Sequence, residues 1–249
     1  MKIDYPDREQ LPELRRLWQE AFGDSDAFLD GFFDQAFAPD RCRCVTQEGQ
    51  IAAALYWFDC RCGDRPMAYL YAIATGKSFR GRGLCRALME DTRQHLQSLG
   101  YAGILLVPAR GLAEMYEKMG YEACCGIAEF SCEAGMQPVP LRSVDAGEYA
   151  RLRRQLLPAN GVLQEGTNLT FLASQAQLYA GEDFLLAAAE EGDGLMGLEL
   201  LGNREAAPGI LAALGKSKGR FRTPGRTPFA MYLPLSGCPK PDYFGLAFD

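Results

Sequence analysis

The stretch Tyr69-Leu70-Tyr71-Ala72-Ile73-Ala74-Thr75-Gly76-Lys77-Ser78-Phe79-Arg80-Gly81-Arg82-Gly83-Leu84-Cys85-Arg86-Ala87-Leu88-Met89 decides how this chain is read. Apolar residues from Met67 to Thr75 read as a buried strand, and Gly76 to Gly83 is polar, basic and glycine-rich. Leu84, Ala87 and Leu88 then open a helical stripe that continues through Leu96 and Leu99 and stops at Gly100. Glycines let the backbone turn tightly with successive N–H groups outward, and a helix starting near Leu84 directs its positive dipole end at the same spot. The natural guest is an anion such as a pyrophosphate, held mainly by backbone donors with Lys77, Arg80 and Arg82 adding charge.

Three other readings of the segment are open to test by spacing. Gly76-Lys77-Ser78 resembles the end of a nucleotide-triphosphate loop, but the required first glycine falls on Tyr71. Gly81-x-Gly83 resembles a dinucleotide fingerprint, yet Arg86 stands where a third small residue should let the helix pack closely. An isolated Gly-Arg-Gly is most often a solvated turn, so the order of elements around it carries the argument.

Upstream, Leu11, Leu14, Leu17, Trp18, Ala21 and Phe22 recur at helical spacing up to Gly23, and Phe28 to Phe37 carries a second helix to Pro39. Cys42 to Thr46 and Ile51 to Phe58 read as a strand pair around Glu48-Gly49-Gln50. Downstream come a strand at Ile104 to Val107 ended by Pro108, a short helix at Leu112 to Met119, and a strand region at Tyr121 to Cys132. Glu133 to Leu141, with two prolines and a glycine, reads as a linker. Asp145 and Glu148 then form a capping box opening a helix to Leu157, and Leu169 to Tyr179 reads as another helix before Gly181. Phe184 to Glu190 and Leu195 to Leu201 make a second strand pair, Glu205 to Leu214 is helix-like, and Phe229 to Leu235 and Tyr243 to Phe248 are strand-like. Two helices followed by a hairpin therefore occur twice, which suggests two related mixed α/β modules in tandem.

The chain has 249 residues, 48% of them hydrophobic, which suffices for a real core. With a net charge of −6 and basic residues gathered only near Lys77 to Arg86 and Lys216 to Arg226, nucleic acid is not the expected partner. No apolar run reaches membrane-spanning length and the N-terminus lacks the core of a signal peptide, so the expected location is the cytoplasm. Nine cysteines in such a chain read as reduced thiols. A four-cysteine zinc site at Cys42, Cys44, Cys60 and Cys62 fails on register: a turn at Glu48 to Gln50 sets Cys42 opposite Leu55 to Trp57, leaving Cys60 ~10 Å further along. One histidine, His95, argues against a His-centred triad or ligand set, and no metal is expected.

At this point the sequence resembles the GCN5-related N-acetyltransferase (GNAT) superfamily. The family's Gln/Arg-x-x-Gly-x-Gly/Ala signature after its fourth strand is met by Arg80, Gly83 and Cys85, with Cys85 a departure to another small side chain. Residues 1 to about 132 follow the family's element order, and Leu112 to Tyr121 look like its leucine, tyrosine, glycine-aromatic segment. The resemblance implies a GNAT domain over 1–134 and a degenerate, smaller GNAT-like domain over 142–249 that shapes the acceptor site. It also implies acetyl-CoA as co-substrate and a primary amine of a small molecule or peptide as acceptor. The alternative is a catalytically weak CoA-binding module with a regulatory or structural role.

By the same resemblance, backbone groups of Ile73, Ala74 and Thr75 bind the pantetheine arm and polarise the thioester carbonyl, and Arg80, Gly81, Arg82, Gly83, Leu84 and Cys85 bind the pyrophosphate. Tyr116 matches the tyrosine that protonates the leaving sulfur, with Tyr121, Tyr69 and Tyr71 as alternatives. Met67 to Thr75 holds no acidic residue, so no strand-four base is available. A water chain ending at Asp59 is one substitute. The other is Asp249, by similarity to multi-domain acetyltransferases in which a terminal carboxylate enters the active site. The second module has no Gly-Arg turn, so one cofactor per chain is expected.

Overall fold

The computed structural model describes residues 1–237 and 239–247. In the first half, β1 (Lys2–Asp4) precedes α1 (Leu11–Phe22) and α2 (Asp26–Gln35). Pro12 sits in the opening turn of α1, where its missing N–H costs nothing, and Gly23 ends the helix with φ +75°. Ser25 Oγ accepts the Phe28 N–H and starts α2. Then come β2 (Cys42–Gln47), β3 (Gln50–Cys62), β4 (Arg65–Thr75), α3 (Leu84–Ser98), β5 (Gly103–Leu106), α4 (Ala113–Glu117) and β6 (Glu122–Glu133). Cys42 opposes Tyr56 in the β2–β3 register, so Cys60 lies well down the strand.

The second half runs β7 (Arg142–Ser143), α5 (Ala146–Leu156), β8 (Val162–Gln164), α6 (Thr167–Gln175), β9 (Gln177–Ala180), β10 (Phe184–Glu191), β11 (Gly194–Gly202), α7 (Ala207–Ala213), β12 (Lys218–Pro224) and β13 (Thr227–Pro234). Asp145 accepts the Glu148 N–H and caps α5. The order of the first half recurs: helices, a hairpin, a helix, and a strand parallel to the one before it, since β11 pairs parallel with β12 as β4 does with β5.

All thirteen strands belong to one mixed sheet in the order β1-β2-β3-β4-β5-β13-β6-β12-β11-β10-β9-β7, with β8 on the end of β3. The halves exchange strands: β13 inserts between β5 and β6, while β6 continues outward to pair with β12. The chain passes from β12 to β13 across β6, and there Gly225 donates its N–H to Gly126 O at 3.0 Å. A Cβ on Gly225 would stand 2.4 Å from Ala128 N, and one on Gly126 would stand 2.2 Å from Gly225 O, so both positions require glycine.

Helices cover both faces. Leu14, Leu17 and Trp18 of α1 with Leu29 and Phe32 of α2 pack on one face of β3 and β4, and Leu84, Leu88 and Leu96 of α3 pack on the other. In the second half, Tyr149, Leu169 and Leu172 of α5 and α6 lie on one side and Ile210 and Leu211 of α7 on the other.

Three segments differ from their sequence reading. The helix read over Leu169 to Tyr179 stops at Gln175, and Gln177–Ala180 pairs with β10 instead, because a sheet edge offers those apolar residues more burial than another helical turn. The basic run Lys216 to Arg226 hides β12, whose Gly219, Phe221 and Thr223 face inward while Arg222 is buried against Glu129. Tyr243 to Phe248 is not a sheet strand over its described part; it is a buried extended segment with one bridge, Gly161 to Tyr243.

Candidate acetyl-transfer site

β4 and β5 pair in parallel only from Met67 with Gly103 to Tyr69 with Leu105. Beyond that point β5 ends and turns at Pro108, while β4 continues to Thr75. Residues 69–73 of β4 and 107–110 after β5 then line the same cavity, of about 860 Å³.

A bulge sets the course of β4. Tyr71 opposes Tyr56 and Ala74 opposes Ala54, so Ala72 and Ile73 together oppose Leu55. Ala72 carries φ +48°, a left-handed conformation that costs a residue with a Cβ about 1–2 kcal/mol. The extra residue inverts the alternation, so Tyr71 and Ala74 both pack on the α1 side and Ile73 faces α3. The ladder is interrupted here, and Tyr71, Ala72 and Ile73 are lining residues of the cavity. Of the three residues the sequence singled out in β4, Ile73 lines the cavity and Ala74 is buried in the core.

After Thr75 the Gly76 N–H bonds Ala52 O at 2.9 Å and a short 3-10 turn, Lys77–Phe79, leads into the glycine loop. Gly81 and Gly83 both have φ +75°, and no atom lies within 4 Å of a Cβ built on either, so the loop faces open space. Arg80 Nε donates to Thr75 O at 3.1 Å, and Arg82 donates to Ser78 O at 3.0 Å with its guanidinium 5.4 Å over the Phe79 ring. The arginine side chains thus shape the loop, and the donors left facing outward are backbone. Gly83 caps α3 with no side-chain hydrogen bond, and the first-turn amides, Leu84 to Arg86, have no intrahelical partner. The loop thus sets two left-handed glycines before the uncapped N-terminus of a 15-residue helix, an arrangement whose free amides suit an anion.

Tyr116 on α4 is buried and lines the cavity; its ring meets that of Tyr121 edge-on at 5.8 Å. Burial, with the nearby Cys85 thiol, pushes its ionisation well above the ordinary phenol range. Tyr69 and Tyr71 also line the cavity, and Tyr121 does not.

One residue falls elsewhere than the sequence suggested. Asp59 lies in a different cleft, of about 910 Å³, where it accepts hydrogen bonds from Tyr101 and from Arg41 Nε at 3.0 Å. His95, for which the sequence suggests no catalytic part, sits within hydrogen-bond distance of Tyr5, 2.6 Å from its hydroxyl. Asp249 lies outside the described residues, while Ala247 lines the cavity and Phe244 packs at 4.7 Å on Tyr69.

Sequence reasoning missed Asp24. It follows the glycine that ends α1, is half-buried, lines the cavity and accepts the Trp18 indole N–H at 2.7 Å. Only the position, a carboxylate in the tight link between two helices, could have marked it. The missed far wall comes from the second half: Leu172 and Gln175 of α6, Leu198 of β11, and Pro228 and Phe229 of β13.

The family model described as "Acetyltransferase (GNAT) domain" matches residues 2–124. No curated protein sequence matches the chain significantly. Among solved structures, a GCN5-related N-acetyltransferase from Kribbella flavida is similar at 19% identity over 94% of this chain and 72% of its own, with a TM-score of 0.73. A GCN5-related N-acetyltransferase from Anabaena variabilis is similar at 17% identity over 95% and 73%, TM-score 0.73. Eis1 from Mycobacterium abscessus is similar at 11% identity over 94% and 74%, TM-score 0.66. These likenesses extend through both halves and bear on the fold. The family match coincides with the stretch that builds the diverging strands β4 and β5 and the glycine loop, and residues 2–124 match the GNAT acetyltransferase domain.

Proposed function

We propose that the chain transfers an acetyl group from acetyl-CoA to a primary amine by direct attack. The observation that carries this reading is the combination of an open glycine loop at Gly81 to Cys85 with a cavity at β4 and the end of β5 that has Tyr116 in its wall and a carboxylate, Asp24, among its lining residues. The cradle's amides and Arg80 to Cys85 take the pyrophosphate; the backbone of Ile73, Ala74 and Thr75 takes the pantetheine arm and polarises the thioester carbonyl.

The step is balanced without any further reagent. The amine arrives uncharged, its lone pair forms the N–C bond, the C–S bond breaks with its electron pair on sulfur, the nitrogen passes its extra proton to the base, and Tyr116 gives its proton to sulfur and regains one from solvent. Asp24 orients the incoming amine. Asp249, which lies outside the described residues, takes the proton that the nitrogen sheds once the N–C bond has formed, when that nitrogen is far more acidic than a free ammonium. The second half supplies the acceptor wall and no second cofactor site. Its corresponding helix, α7, is short, carries Pro208 in its first turn, and follows Asn203, which already accepts the Glu205 N–H.

The test is to titrate acetyl-CoA into the protein and then follow thiol release with a panel of primary amines. One equivalent bound per chain and amine-dependent thiol release above hydrolysis are expected. Binding with silence across a broad panel would instead leave the alternative of a CoA-binding regulatory module.

A further inference from the structure

We infer that the acceptor is an amphipathic monoamine, one basic nitrogen on an aromatic or branched apolar body, and not a polycation. This rests on the reading of the cavity as the site of amine acetylation. Among its described lining residues the cavity holds one carboxylate, Asp24, and one cation, Arg110, which is exposed after β5. A single ammonium therefore has a single partner. Asp24 is fixed in place by the Trp18 indole, which is itself locked among rings, 4.5 Å from Phe32, 5.1 Å from Tyr56 and 5.4 Å from Tyr71.

Apart from Gln175, which brings an uncharged amide, the described walls that face the body of the acceptor are apolar or aromatic. Phe28 and Tyr71 stand on the Asp24 side, and Leu172, Leu198 and Phe229 form the wall contributed by the second half. A second ammonium of a polyamine or amino sugar would lose its water against these side chains and meet no countercharge, while Arg110 repels it at the rim. An aromatic or branched alkyl body gains from the same burial, and aromatic faces attract the one cation that is present.

The test measures binding by calorimetry, with and without CoA, for 2-phenylethylamine and spermidine. Phenylethylamine is expected to bind at least ~10-fold more tightly, the order that one uncompensated charge produces. Asp24→Asn should weaken phenylethylamine by a similar factor, and Leu198→Glu, which adds a carboxylate to the apolar wall, should narrow or reverse the preference. Spermidine binding as tightly as phenylethylamine, Asp24→Asn without effect, or no binding of either amine would overturn the inference. Thermal stabilisation by acetyl-CoA is recorded on each variant. Its loss in the wild-type protein sinks the acetyl-transfer reading, whereas its retention beside a spermidine preference sinks only the acceptor class.

Discussion

Tyr116 is held in its un-ionised form by burial. An acid whose ionisation is raised keeps its proton as pH climbs past its ordinary value of ~10, so the donor form persists across the whole neutral range. Turnover should therefore show no loss attributable to Tyr116 below about pH 9, and Tyr116→Phe should lower kcat by ~100-fold with acetyl-CoA affinity within about twofold. Unchanged kcat in steady-state assays would pass the role to Tyr69 or Tyr71. At the glycine loop, Gly83→Glu places a negative charge in the proposed diphosphate site and forces a side chain onto φ +75°. Abolished thermal stabilisation by acetyl-CoA is expected, while Gly83→Asn, which tolerates that φ, should retain part of it. The cradle was legible because a Gly-Arg-Gly turn and a helix start are local backbone chemistry. Asp24 was not, because an aspartate after a helix-ending glycine reads the same whether it faces water or a cavity.

At the level of elements, the bulge in β4 and the β12–β13 crossing determine where the site opens. Neither left a readable signal: Ala72 at positive φ looks like any strand alanine, and Gly225 beside Pro224 looks like an ordinary turn. Gly225→Ala would drive a Cβ into the backbone at Ala128 and should destabilise the protein by about 1–3 kcal/mol or more, read as a lower denaturant midpoint. A neutral result would mean that β13 is not inserted as described. The hairpins and the helices with clear caps, such as α1 ended by Gly23 and α5 started by Asp145, were legible from turn and cap residues alone.

Across the whole molecule, a buried ion pair connects the second half to the segment that enters the cavity. Arg153 meets Glu199 through two nitrogens at 2.7 and 2.9 Å, both side chains fully buried. Tyr149 donates to Glu199 at 3.0 Å, Arg153 also donates to Val162 O, and Gln164 donates its side-chain N–H to Leu246 O. Replacing Glu199 by Leu strands a guanidinium in the core and should cost about 3–5 kcal/mol in a denaturation experiment. Because Leu246 immediately precedes Ala247 of the cavity lining, the same substitution should raise the KM for the amine in folded protein at low temperature. A stable variant with an unaltered amine KM would uncouple this network from the site.

The sequence by itself determined what is local: the glycine cradle, the polarity of the strand and helix around it, the mixed α/β class and the family resemblance. The tertiary structure alone decided how the halves share one sheet, which residue of the second half faces the cavity, and that Asp24 enters it while Asp59 does not. Periodicity and capping act over a few residues through backbone geometry. Strand exchange and cavity lining depend on contacts between residues about a hundred positions apart, such as Ile127 with Thr227, and no short window of sequence encodes those distances.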